Sequence, residues 1–191
     1  MSSNGRALSP REVLFTINFW TIPPRRQETA GEAGPDRRCA LKDIGNPAIQ
    51  RNILLRIKKL SPKDEARWGT MTVHQMICHL NDGYRCVLAG NRLAPMEMGI
   101  PRPLLKWVAL RVPVRWPKGV PAPREITQGL GGTPPIDFEQ DRAQLVCSVN
   151  EFCARVPAPH LPHPLFGRMD RWDWMRWAYL HADHHLRQFG R

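Results

Sequence analysis

The sequence predicts an all-α protein. Three observations carry this: apolar residues recur at helical spacing in four separate stretches, each stretch has its own start and stop signals, and no alternating strand pattern competes. With 191 residues, 42% of them hydrophobic and 24% charged, the chain suits one soluble domain with a substantial core.

Residues 1–43 mix Ser, Gly, Pro, Glu and Arg without periodicity, as in "RRQETAGEAGPDRR", and read as a flexible extension ahead of a domain over 44–191. The first helix follows "GNP", where Asn46 can cap and Pro47 suits the first helical position. Ile49, Ile53, Leu54 and Ile57 then repeat at helical spacing up to Ser61-Pro62. In the second, Thr72 and Gln75 have the spacing of a capping box, Val73, Met76, Leu80, Tyr84 and Val87 form the apolar stripe, and Gly90 supplies a stop.

A long connection rich in proline and glycine comes next, including "PRPLLKWVALRVPVRWPKGVPAP" and "GLGGTPP", with room for one short helix at Leu104–Leu110. A loop of that length often covers a site. The third main helix starts near Asp137 and carries Leu145, Val149, Phe152 and Val156 before "PAP" ends it. The last starts near Asp170 and runs through "DRWDWMRWAYLHADHHLRQF" to Gly190. Four amphipathic helices with one long crossover describe a four-helix bundle.

The formal net charge is +11, but the basic residues are scattered, with no run of five or six and no recognition helix, so nucleic acid is not an expected partner. Cys39, Cys78, Cys86, Cys147 and Cys153 contain no C-x-x-C pair and are odd in number, which fits a reducing cytoplasm better than a disulfide framework. The apolar run "VLFTINFW" is short for a signal-peptide core, and no stretch approaches the roughly 20 apolar residues of a membrane helix. No membrane role is expected.

The chemistry concentrates in histidines. His181 and His185 lie four apart on one helix face and continue the stripe of Trp174, Trp177 and Ala178. His184 falls about 60° to one side by the 3.6-residue repeat. On the second helix, His79 flanks Met76 and Leu80, while His74 falls about 140° away and belongs to the polar side. His79, His181 and His185 therefore form a candidate ligand set for a divalent ion, with zinc or nickel best suited to imidazole. Spacing alone leaves a packed, hydrogen-bonded core open as the other reading. Ala182 follows His181, so the metalloprotease pattern fails. Gln188, one turn beyond His185, is a further candidate for contacting a ligand or a bound water, and Cys86 is unneeded as a ligand.

"WGTMTVHQMICHLNDGYR" and "WAYLHADHHLRQFG" together resemble the DinB-like superfamily, most closely an uncharacterised branch of it, over about Leu41 to Arg191. The resemblance implies a four-helix bundle whose metal is held by one histidine of the second helix and two of the last, which map to His79, His181 and His185. It also implies a transferase that uses a low-molecular-weight thiol, such as bacillithiol or mycothiol, to attack a small electrophile. A metal-dependent hydrolase and a non-catalytic basic binding protein are the alternatives. A homodimer is expected only by analogy with bundles of this size.

Overall fold

The computed structural model describes residues 41–155 and 161–191. The extension expected over 1–43 lies outside these up to residue 40, as does Val156, the last position of the expected third stripe. The described chain is mostly helical: α1 (Pro47–Lys58), α2 (Val73–Leu88), α3 (Arg102–Arg111), α4 (Phe138–Ala154) and α5 (Arg171–Gln188), with a hairpin of β1 (Pro162–His163) and β2 (Gly167–Arg168).

Local chemistry starts each main helix where the sequence places it. Asn46 accepts from the backbone N–H groups of Ala48 and Ile49 ahead of α1, and Asp137 accepts from Gln140 ahead of α4. Both α2 and α5 carry reciprocal capping boxes, Thr72 with Gln75 and Asp170 with Asp173, so two otherwise orphaned N–H groups are satisfied at each start.

The core lies where α2 packs on α4 and α5 and where α1 packs on α4 and α5. Ile53, Ile57, Met76, Leu80, Leu145, Val149, Phe152, Ala178 and Leu186 are all fully buried there. Two polar links cross this apolar region. The Tyr84 hydroxyl donates to the Ala178 carbonyl at 2.9 Å, and the Ser148 hydroxyl donates to Asn81 Oδ1 at 2.6 Å. Each removes a buried polar group that would otherwise be costly, and so fixes the rotation of α2 against its neighbours.

The connection from α2 to α4 contains the expected short helix, α3, and a 3-10 turn at Arg124–Ile126 that the sequence does not announce. Asp173 at the start of α5 holds α3 in place through Lys106 Nζ (3.0 Å) and Arg111 (2.9 Å), while Arg176 Nε donates to the Leu110 carbonyl. No described helix is long and apolar enough to cross a membrane.

Among the described residues, the hairpin is the one departure from an all-helical pattern of elements. Its strands have two residues each, too short for any period-2 pattern to register. A side chain organises it instead: His163 Nδ1 accepts from the backbone N–H groups of Leu165 (3.2 Å) and Phe166 (3.3 Å), and the ring stacks on Phe166. Gly167 returns the chain with φ of 66°, a conformation that glycine adopts without strain.

Burial pushes His163 from its ordinary value of 6.5 down to about 3. Between those values the unfolded chain takes up a proton that the folded ring refuses, so the contribution to stability is complete above about pH 6.5 and is lost as pH falls toward 3. Urea denaturation in the presence of a chelator is expected to show stability falling from pH 7 to pH 5. His163→Gln, whose amide oxygen can still accept, should lessen that slope by roughly 1 kcal/mol per pH unit. An unchanged slope would contradict the assignment.

Candidate metal centre

His79 sits in the middle of α2, and His181 and His185 occupy successive turns of α5. All three are buried, at 4%, 8% and 8% exposure. Their rings meet edge to face, with centroids 4.9 to 5.2 Å apart. One nitrogen from each lies within 4.8 Å of the others. The structure therefore brings together the three histidines that the spacing selected.

The outer nitrogens fix the tautomers. His79 Nδ1 lies 2.9 Å from the Ile126 carbonyl, which can only accept, so Nδ1 carries the proton and Nε2 presents a lone pair inward. Gln188 Nε2 donates to the Trp68 carbonyl at 2.7 Å, which leaves Gln188 Oε1 to accept from His185 Nδ1 at 3.0 Å. His185 Nε2 is thereby also a bare acceptor. Gln188 is buried at the cavity wall, where its amide bridges the Trp68 carbonyl and His185.

His181 makes a different contact. Its Nε2 is 3.2 Å from His79 Nε2, and its Nδ1 is buried without a hydrogen-bond partner. The ring packs against Gly83 of α2, where a Cβ would lie 3.4 Å from His181 Cε1.

Burial lowers the pKa of all three. His79 moves down despite the opposing Ile126 carbonyl, His181 falls well below its ordinary range with His185 and His79 adding to the effect, and His185 drops to about 3. Neutral imidazole is the form that ligates metals. Two ligand nitrogens about 2.0–2.1 Å from a tetrahedral ion lie about 3.3 Å apart, close to the observed 3.2 Å. The donor set, its protonation and the spacing of the His79–His181 pair fit a divalent ion, with the His185 nitrogen within 4.8 Å of both.

The cluster opens on a cavity of about 560 Å³, within the usual range for small-molecule sites. Trp68, Trp116, Trp174, Trp177, Leu105 and Phe166 are among its walls, so α3 and the hairpin both contribute. His184 also lines it, half-buried, without joining the cluster.

His74 lies apart from the trio, as expected, and pairs with Asp141 Oδ2 at 2.7 Å. Cys78 Sγ reaches the same oxygen at 3.6 Å, a second His/Cys/Asp grouping that sequence reasoning did not assemble. Burial raises the Cys78 thiol to about 12, so it is not a ready thiolate. Cys86 is half-buried and lines the cavity, but it is not part of the cluster.

A mostly helical protein with three buried histidines clustered in the wall of a cavity of about small-molecule size is the class that fold and site define. The chain belongs to the family described as "Protein of unknown function (DUF1569)", whose profile matches residues 48–191. Neither the curated proteins nor the solved structures give a match.

Gln188→Ala is expected to weaken zinc binding roughly 10- to 100-fold in a chelator competition, because His185 loses the partner that holds its tautomer. His74→Ala should leave affinity within about twofold, since it removes no member of the trio. Metal affinity that followed His74 and ignored Gln188 would overturn the assignment.

Proposed function

We propose that this chain is a DinB-like four-helix bundle that holds a divalent ion, zinc or nickel, on His79, His181 and His185, and acts as a thiol S-transferase. The observation that carries the reading is the convergence of three neutral imidazoles, two of them with Nε2 fixed as an acceptor, at the base of a small-molecule cavity. The mutual packing of α1, α2, α4 and α5 around a long Pro/Gly-rich crossover supports the bundle. Four unpaired cysteines among the described residues suit a cytoplasmic setting.

A divalent ion with three neutral ligands keeps its full charge and an exchangeable position, so a thiol coordinated there would ionise more readily. The chain's own part is to orient and to exclude water. Gln188 and the Ile126 carbonyl hold the ligand rings, and the tryptophan and leucine walls shield the reacting groups. In the transfer, the thiol sulfur forms a bond to an electrophilic carbon, the leaving group departs with the electrons of its broken bond, and the thiol proton passes to solvent.

One observation favours this over hydrolysis. No Asp or Glu lines the cavity among the described residues, so no carboxylate stands ready there as general base for water.

Zinc-loaded protein is expected to accelerate conjugation of a low-molecular-weight thiol to a small aryl halide such as 1-chloro-2,4-dinitrobenzene. Chelator and His181→Ala should each abolish the acceleration. Chelator-sensitive hydrolysis of p-nitrophenyl acetate without any thiol effect would favour the hydrolase, and activity indifferent to chelator and to His181 would remove the metal-dependent reading.

A further inference from the structure

Helix α3 is apolar on two sides. Leu110 is fully buried, and Leu105 and Ala109 are partly buried against the core. On the other side, Leu104, Trp107 and Val108 recur at i, i+3 and i+4 and face solvent, with Leu104 52% and Trp107 55% exposed. A helix that is apolar all round is normally covered all round. Single exposed apolar residues mean little, but these are concentrated. Of the ten large apolar residues exposed in the described chain, seven fall within 98–120.

Positive charge gathers on the same stretch. Residues 98–124 hold six basic side chains and no acidic one. Asp173 engages Lys106 and Arg111, while Arg102, Arg115, Lys118 and Arg124 are exposed. The Trp116 indole donates to the Ala109 carbonyl at 3.0 Å, which folds the chain back on α3 and brings the exposed Val114 and Arg115 beside the end of the helix. The stretch also borders the cavity. Met98 and Val120 are exposed and line its wall, and Leu105 and Ala109 line it from α3 itself.

We infer that this face of α3 docks on an anionic lipid surface, with Leu104, Trp107 and Val108 buried among the headgroups and Arg102 and Arg115 against lipid phosphates. An outward face of Trp, Leu and Val beside exposed arginines is the composition of helices that lie in a membrane interface. Charge selects lipid over a second copy of the chain, since a copy seated on this face across a two-fold axis would bring the basic stretch against itself. No membrane role was expected from the sequence because no segment can span a bilayer, but a helix lying on the surface needs no such segment. With the cavity bordering the docked face, an apolar ligand would enter it from the lipid without crossing water. The inference goes beyond the metal reading and does not depend on it.

Co-sedimentation of the full chain with vesicles tests this. Binding to phosphatidylcholine vesicles containing about one quarter phosphatidylglycerol is expected to be at least about tenfold tighter than to phosphatidylcholine alone, and to weaken as salt is raised. Leu104→Ser with Trp107→Ser leaves the charge unchanged and should weaken binding at least about tenfold. Arg102→Gln with Arg115→Gln should weaken it by a similar factor, since each arginine near an anionic surface contributes about fivefold. Leu55→Ser removes an exposed leucine from α1 and should change binding by less than about twofold. All these positions except Leu55 lie on or beside the α3 face, and circular dichroism checks that each variant is folded.

Equal binding by wild type and the Leu104→Ser, Trp107→Ser variant would overturn the inference, because the overall charge of +11 would then suffice. So would failure to bind anionic vesicles. If the non-binding wild type forms a dimer in analytical ultracentrifugation that the same variant abolishes, a second copy covers the face; if it is monomeric, the lipid assignment falls equally.

Discussion

Two histidine nitrogens held 3.2 Å apart inside an apolar interior set the terms for this fold. His79 Nε2 points its lone pair at His181 Nε2, and His185 presents another lone pair beside them, because the outer nitrogens of His79 and His185 are committed to the Ile126 carbonyl and to Gln188. Converging acceptors in a low-dielectric interior are unfavourable unless a proton or a cation lies among them. The surrounding structure maintains the convergence: the Trp68 carbonyl fixes the Gln188 amide, the His181 ring packs on α2 at Gly83, and Tyr84 ties α2 to α5.

The parts of this arrangement written in side chains were legible in the sequence. Asn46-Pro47, Thr72 with Gln75, Asp137 and Asp170 each mark a helix start by a local mechanism, and these are the capping groups of α1, α2, α4 and α5. The i, i+4 spacing of His181 and His185 put both on the buried face, and the position of His79 beside Met76 and Leu80 put it inward too. What escaped was backbone. The Ile126 and Trp68 carbonyls are supplied by irregular segments, where any residue type would offer the same oxygen, so no sequence signal exists for them. The hairpin escaped because its order comes from one imidazole accepting two backbone N–H groups and not from strand patterning. Gln188 was placed on the correct face, and its bond to His185 depends on the Trp68 carbonyl that the sequence does not mark.

Charge is partitioned as sharply as polarity. Acidic residues near the site are spent on structure: buried Asp173 anchors α3 through Lys106 and Arg111, and half-buried Asp82 accepts from Thr133 and Gln128 in the crossover. The cavity is thereby enclosed by elements held with ion pairs while its own wall carries none. In such a space the few neutral hydrogen-bonding groups act in a low dielectric, where they discriminate more strongly than at a surface. The same seclusion keeps the histidines neutral and ready to act as ligands.

The central claim is that the three histidines hold one ion, and elemental analysis tests it most directly. Protein purified without a histidine tag should carry about one equivalent of zinc, nickel or a similar divalent ion, and the double variant His79→Ala, His181→Ala should carry none. A wild-type protein that is folded, metal-free and unable to take up added ions would contradict the claim and return the trio to the packed core.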